Sequence, residues 1–193
     1  MDTQTLGKIK SYCLETYAST KSANHDRGHI ERVLSHALAI VDFLHVKDEV
    51  DTNTLEAACY LHDIVTSSTG NGTFFSKLYN HIFEKHIVRT YLPDILVRFH
   101  LTLQDSRILI QAITNHPYSL PYRRLNTKND LYSQILQDAD SLDYVSSERQ
   151  AQFDNSHPKL SVFTRVYLSF LRKHIGFFLN FPQLRSMVSL TRA

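Results

Sequence analysis

The sequence predicts an all-α fold, and three observations carry that prediction. Apolar residues recur at three- and four-residue spacing in segment after segment, the mark of amphipathic helices. Strict two-residue alternation, which a half-buried strand shows, is sustained nowhere. Five glycines and five prolines among 193 residues are few for the many turns of an all-β chain. Apolar residues make up 42% of the chain, enough for a buried core and too many for disorder. The length suits one domain of about eight helices.

The elements follow in order. Thr5 to Ser19 carries Leu6, Ile9, Tyr12, Cys13 and Tyr17 near helical spacing. After the polar break STKSANHDRG, His29 to Val46 sets Ile30, Val33, Leu34, Ala37, Ile40, Val41 and Leu44 on one broad face. Asp48 to Thr52 is a polar turn. Asn53 then stands three residues before Glu56, an N-cap pairing. The helix it opens, Thr54 to Ile64, is apolar on most sides and belongs at the centre. Thr66 to Thr73 reads as a loop. Phe74 to Leu92 is helical, and Pro93 ends it or starts a short helix towards Leu103. Ser106 to Asn115 forms a helix with Ile108, Leu109, Ala112 and Ile113 inward. His116 to Asn129, with Pro117 and Pro121, reads as a long loop. Asp130 to Tyr144 returns to helical spacing, and Lys159 to Met187 holds one or two aromatic-rich helices.

Net charge is +2 and no basic stripe appears, so no nucleic-acid partner is implied. No stretch approaches the roughly 20 apolar residues that cross a bilayer, and MDTQTLGKIK lacks a signal-peptide core. The expectation is a cytoplasmic protein with no membrane partner. Cys13 and Cys59 lie in apolar-periodic stretches and read as buried thiols.

Eleven histidines against no tryptophan is the unusual number, and their placement carries the chemistry. His62 and Asp63 end the most apolar helix. Burying an imidazole beside a carboxylate is costly without partners, and a metal ion is an efficient partner for both. His29 opens the preceding amphipathic helix in HIERV, and Asp140 lies within QDADSLD, where Asp138 and Asp143 compete with it. Two imidazoles and two carboxylates without thiolates suit Mn, Fe, Zn or Mg rather than a structural zinc cluster.

The ordered set His29, His62-Asp63, Asp140 resembles the signature of HD-superfamily metal-dependent phosphohydrolases. Four contexts share that resemblance: NHDRGHIERVLSHALAI, AACYLHDIV, AITNHPYS and QDADSLDYV. It spans Ser22 to about Val145. It implies a single-domain helical bundle of the HD-domain type over 1–154, with its motif-bearing core at about 22–145. Residues 155–193 then form a C-terminal helical extension packing on the same domain. It also implies a divalent metal ion on His29, His62, Asp63 and Asp140. Metal-activated water would attack a small phosphate ester or anhydride, nucleotides among them.

Asp63 would both bind the ion and orient the nucleophile. His25 and Asp26 fit an extended opening motif and are candidates for orienting the attacking water. Arg32, His86 and His116 are candidates for contacts to substrate phosphate. Arg32 has the alternative of pairing with a carboxylate of the site, His86 that of binding a second ion, and His116 that of approaching the metal. Asp143, three residues beyond Asp140, is a candidate partner behind the ligands.

The chain departs from relatives that hydrolyse guanosine polyphosphates. Ile64, Val65, Thr66 and Ser67 follow His62-Asp63, with no carboxylate among them. That leaves the general base unassigned and sustains an alternative, a non-catalytic metal- or nucleotide-binding regulatory module. The late aromatics, Phe163, Tyr167, Phe170, Phe177, Phe178 and Phe181, read as a helical core or as the face of a homo-oligomer.

Overall fold

The structure is a computed structural model, and it describes residues 1–19, 27–65, 74–116, 130–156 and 158–190. Its helices are α1 (Thr3–Ser19), α2 (Arg27–Leu44), α3 (Thr52–Leu61), α4 (Phe74–Val97) and α5 (Leu103–Asn115). Then come α6 (Leu131–Tyr144), α7 (Ser147–Ser156), α8 (Ser161–His174) and α9 (Arg185–Leu190). Short 3₁₀ turns stand at Pro158–Leu160, Ile175–Phe177 and Pro182–Leu184. No strand occurs among the described residues, and the fold is all-α.

Helix α3 sits at the centre because almost every side chain on it needs burial. Leu55, Ala57, Ala58, Cys59 and Leu61 are fully enclosed, and α1, α2, α5 and α6 all pack against it. α1 offers Leu6, Ile9, Cys13 and Tyr17, a stripe at spacings of three and four. α2 offers Ile30, Val33, Ala37, Ile40 and Val41, and its main partner is α6. Both cysteines are buried free thiols. No helix among the described residues is long and apolar enough to cross a membrane.

Several boundaries differ from the sequence expectation, each for a physical reason. The N-cap of α3 is Asp51, not Asn53: its carboxylate accepts from the Thr54 backbone N–H at 2.7 Å. Glu56 instead pairs with Lys10 of α1. Pro93 neither ends α4 nor starts a new helix, because Val88, Leu92 and Leu96 form one buried stripe across it. That continuous packing offsets the ~3 kcal/mol that an internal proline costs. α5 begins three residues before Ser106, since Thr102 caps it and bonds reciprocally with Asp105. α7 was not expected, for its sequence is polar almost throughout; Ser146 Oγ accepts from the Arg149 N–H at its start. The expected loops at 66–73 and 117–129 lie outside the described residues.

Two histidines without motifs turn out to end helices. His45 and His100 both adopt positive φ, 57° and 50°. At His45 the His45 N–H reaches the Asp42 carbonyl and the Val46 N–H reaches Val41, a Schellman closure of α2.

The C-terminal segment is clasped to α6 at two places. Asp138, fully buried, accepts from the Asn180 N–H at 2.7 Å, the Asn180 amide at 2.9 Å and the Phe181 N–H at 2.9 Å. Arg172 donates to the carbonyls of Val145 and Ser146 just past the end of α6. The expected boundary at 154/155 falls inside α7. Of the late aromatics, Tyr167, Phe178 and Phe181 pack on the core, whereas Phe163, Phe170 and Phe177 are exposed. Asp138→Ala strands these buried donors, so a loss of about 2–3 kcal/mol is expected. Urea unfolding should register it, and limited proteolysis should cut the released segment after residue 158.

Candidate metal centre

Four helix ends and faces meet at one buried point. α2 brings His29 in its first turn; the end of α3 brings His62 and Asp63. α6 brings Asp140 from its middle, and the end of α5 brings His116. His29, His62, Asp63 and His116 are each at most 5% exposed.

The ring nitrogens are oriented from behind. His62 Nδ1 lies 2.7 Å from the Cys59 carbonyl, which only a protonated nitrogen satisfies. His29 Nδ1 lies 2.7 Å from Asp143 Oδ2, and that carboxylate also accepts from Arg32. Neutral rings with these tautomers point two lone pairs inward. The two Nε2 atoms stand 3.2 Å apart. Asp63 Oδ2 is 3.2 Å from each of them. Asp140 Oδ1 is 3.6 Å from His29 Nε2, and Asp140 Oδ2 is 3.4 Å from His116 Nε2.

So many converging lone pairs repel one another unless a cation sits among them. Donors about 2.1 Å from one ion stand roughly 3.0 Å apart in an octahedron and 3.4 Å in a tetrahedron. The observed separation of the two nitrogens falls between these. His29, His62 and Asp140 form one group with ligand atoms within 4.8 Å of one another, and His62, Asp63 and His116 form another. The residues present therefore fit a divalent ion.

Electrostatics says the same. Burial alone would lower the His29 pKa, but hydrogen bonds to Asp143 and Asp63 and the nearby Asp140 raise it to about 9. A proton on His29 thus takes the place of an ion. Burial opposes the charge on Asp140, yet His116, His29 and His62 hold its carboxyl well below the usual carboxylate range. Asp143 is likewise held low against burial, by His29 and Arg32.

The residues singled out from the sequence divide as follows. His29, His62, Asp63 and Asp140 come together. His116 joins them, taking the metal-side alternative open to it; its buried Nδ1 has no hydrogen-bond partner. Arg32 takes the alternative open to it and pairs with Asp143, keeping its side chain 27% exposed. His86 stands exposed on α4, outside the cluster. His25 and Asp26 lie outside the described residues. Ile64 and Val65 are buried in the core. Sequence reasoning underrated His116 because a histidine before proline at a helix end has many ordinary explanations. It could not find the Cys59 carbonyl, which no side-chain pattern reports.

The profile of the HD domain matches residues 27–145, which include all the clustered donors. Comparison with curated proteins gives no match. Among solved structures, Bacillus subtilis YpgQ in complex with ADP is similar at TM-score 0.63 and 18% identity, covering 97% of this chain and 87% of that one. A Lactobacillus plantarum protein is similar at TM-score 0.56 and 23% identity; the match covers 79% of this chain and spans 61% of that protein's length. A predicted HD superfamily hydrolase from an uncultured Thermotogales bacterium gives TM-score 0.52 and 20% identity, over 88% and 91% of the two chains. At these identities the solved structures speak for the shared fold. The family match covers well over half of the sequence and contains the histidine–aspartate cluster, and the chain belongs to the HD domain family.

Proposed function

We propose that this protein is a metal-dependent hydrolase of small phosphate esters or anhydrides, with nucleotides as its substrate class. The observation that carries this reading is the convergence of two inward imidazole lone pairs and two carboxylates on one buried point. Membership of the HD domain family supports it, as does the likeness to a predicted HD superfamily hydrolase. The ADP held by the Bacillus subtilis neighbour supports a nucleotide.

His29, His62, Asp63 and Asp140 would hold the ion, with His116 alongside. A divalent ion there supplies Lewis acidity to a phosphoryl oxygen and lowers the pKa of a water. The chain's own contribution is orientation. The Cys59 carbonyl fixes the His62 tautomer, and the Arg32–Asp143 pair fixes that of His29. Asp63, touching both rings, would also orient the nucleophile, with His25 and Asp26 assisting. Directly after it, Ile64 and Val65 send apolar groups into the core, so no carboxylate stands there to take a proton. That feature favours the second reading, a non-catalytic metal- or nucleotide-binding module. The two readings part on turnover.

Asp140→Asn is expected to cut turnover of nucleoside phosphates by on the order of 10²–10³-fold, the scale of one lost electrostatic contact. Metal retained by the unaltered protein with no turnover across a nucleotide and phosphoester panel would leave only the binding module. Arg32→Ala should weaken metal affinity about 10–100-fold without unfolding the protein, as read by chelator competition. The third expectation concerns pH. His29 has a raised pKa in the metal-free protein, so its contribution to stability is full below its ordinary pKa of 6.5 and fades through about 9. Metal binding displaces that proton. Affinity should therefore climb about tenfold per pH unit up to that range, with protons released in calorimetry. A flat profile contradicts the assignment of His29 as a ligand.

A further inference from the structure

Between α6, α7 and α8 lies a cavity of about 370 Å³, lined among others by Tyr144, Arg149, Phe153, Phe163, Thr164 and Tyr167. Small-molecule sites run from about 300 to 1,000 Å³, so this one admits a group the size of a nucleoside and little more. Four of the eight side chains that line it are aromatic, Leu160 and Leu168 are aliphatic, and Arg149 is the cation among them. Rings offer flat π faces, which suit a planar heterocycle, and a guanidinium complements its polar edge.

The cavity adjoins the metal centre through Tyr144. Tyr144 follows Asp140 by one turn of α6, on the same face and about 6 Å along the axis. Burial pushes its phenol up to about 12; Tyr167 adds to this, Arg149 opposes it, and the charge of Asp140 adds again. Asp140 and the cavity wall at Tyr144 are thus one helical turn apart.

We propose that this cavity is the base-binding subsite of a nucleotide whose phosphates lie one helical turn away at Asp140. The inference rests on the phosphohydrolase reading and adds where the rest of the substrate goes. Seven of the eight lining residues lie beyond residue 145, outside the segment matched to the HD domain. Substrate choice is then written in the C-terminal helices, apart from the residues that hold the ion.

The chain has no tryptophan, and Phe163 is 72% exposed at the mouth of the cavity. Phe163→Trp therefore installs a single tryptophan, excited apart from the tyrosines at the red edge of its absorption. With adenosine and with ADP its emission should change saturably, and with inorganic pyrophosphate it should not. Thr164→Phe fills the cavity. It should weaken ADP binding by at least about tenfold while tripolyphosphate hydrolysis stays within about twofold. Should that variant not fold, Phe153→Leu removes a ring from the wall and should shift ADP in the same direction. The subsite is refuted if adenosine leaves the tryptophan silent, or if the filled cavity changes ADP and tripolyphosphate alike. Absent hydrolysis with an intact adenosine signal sinks the hydrolase reading and leaves the subsite standing.

Discussion

Two imidazole nitrogens facing each other at 3.2 Å, each left with an inward lone pair when its ring is neutral, set the terms for the rest of the molecule. Such a contact is repulsive in isolation. It persists only where a positive charge occupies the space between the rings. Everything around it supplies reasons for the rings to stay. The Cys59 carbonyl belongs to a helix most of whose side chains are buried. Asp143 is held by a half-buried arginine. Burial makes each of these hydrogen bonds stronger and each loss more costly.

Helix α6 shows how one short segment serves three purposes. At 100° per residue, Asp140 and Asp143 lie about 60° apart, whereas Asp138 is turned by about 160° from Asp140 and about 140° from Asp143. The first two therefore address the histidines, one directly and one from behind. The third faces away and binds the backbone of the C-terminal segment. Three aspartates within six residues look redundant as letters. Their angular separation makes them distinct.

The sequence revealed what periodicity and spacing encode. The amphipathic stripes of α1 and α2 and the α3 apolar on most sides were legible in that way, and the group His29, His62, Asp63 and Asp140 through the resemblance of its sequence contexts to HD-superfamily proteins. Less legible was anything decided by tertiary packing. Pro93 reads as a breaker until the stripe Val88, Leu92, Leu96 is seen to run past it. α7 has almost no apolar pattern to find. Asn53 and Asp51 are both good caps, and only the position of the Thr54 N–H chooses between them. Arg32 had two credible partners, and a linear string does not say which carboxylate comes nearer. Asp138 as an anchor could not be read at all, since its partners include two backbone N–H groups some forty residues away.

The clasp at Asp138 has a consequence for how such chains diversify. A ligand pattern can be preserved letter for letter while the segment that covers the back of α6 is replaced. Without donors equivalent to Asn180 and Phe181, however, the replacement leaves a carboxylate in the dark, and the helix that presents Asp140 loses its footing. Inheritance of the ion-binding letters is thus no guarantee of a working centre. What must travel with them is a few amide groups supplied by any sequence able to turn at the right place.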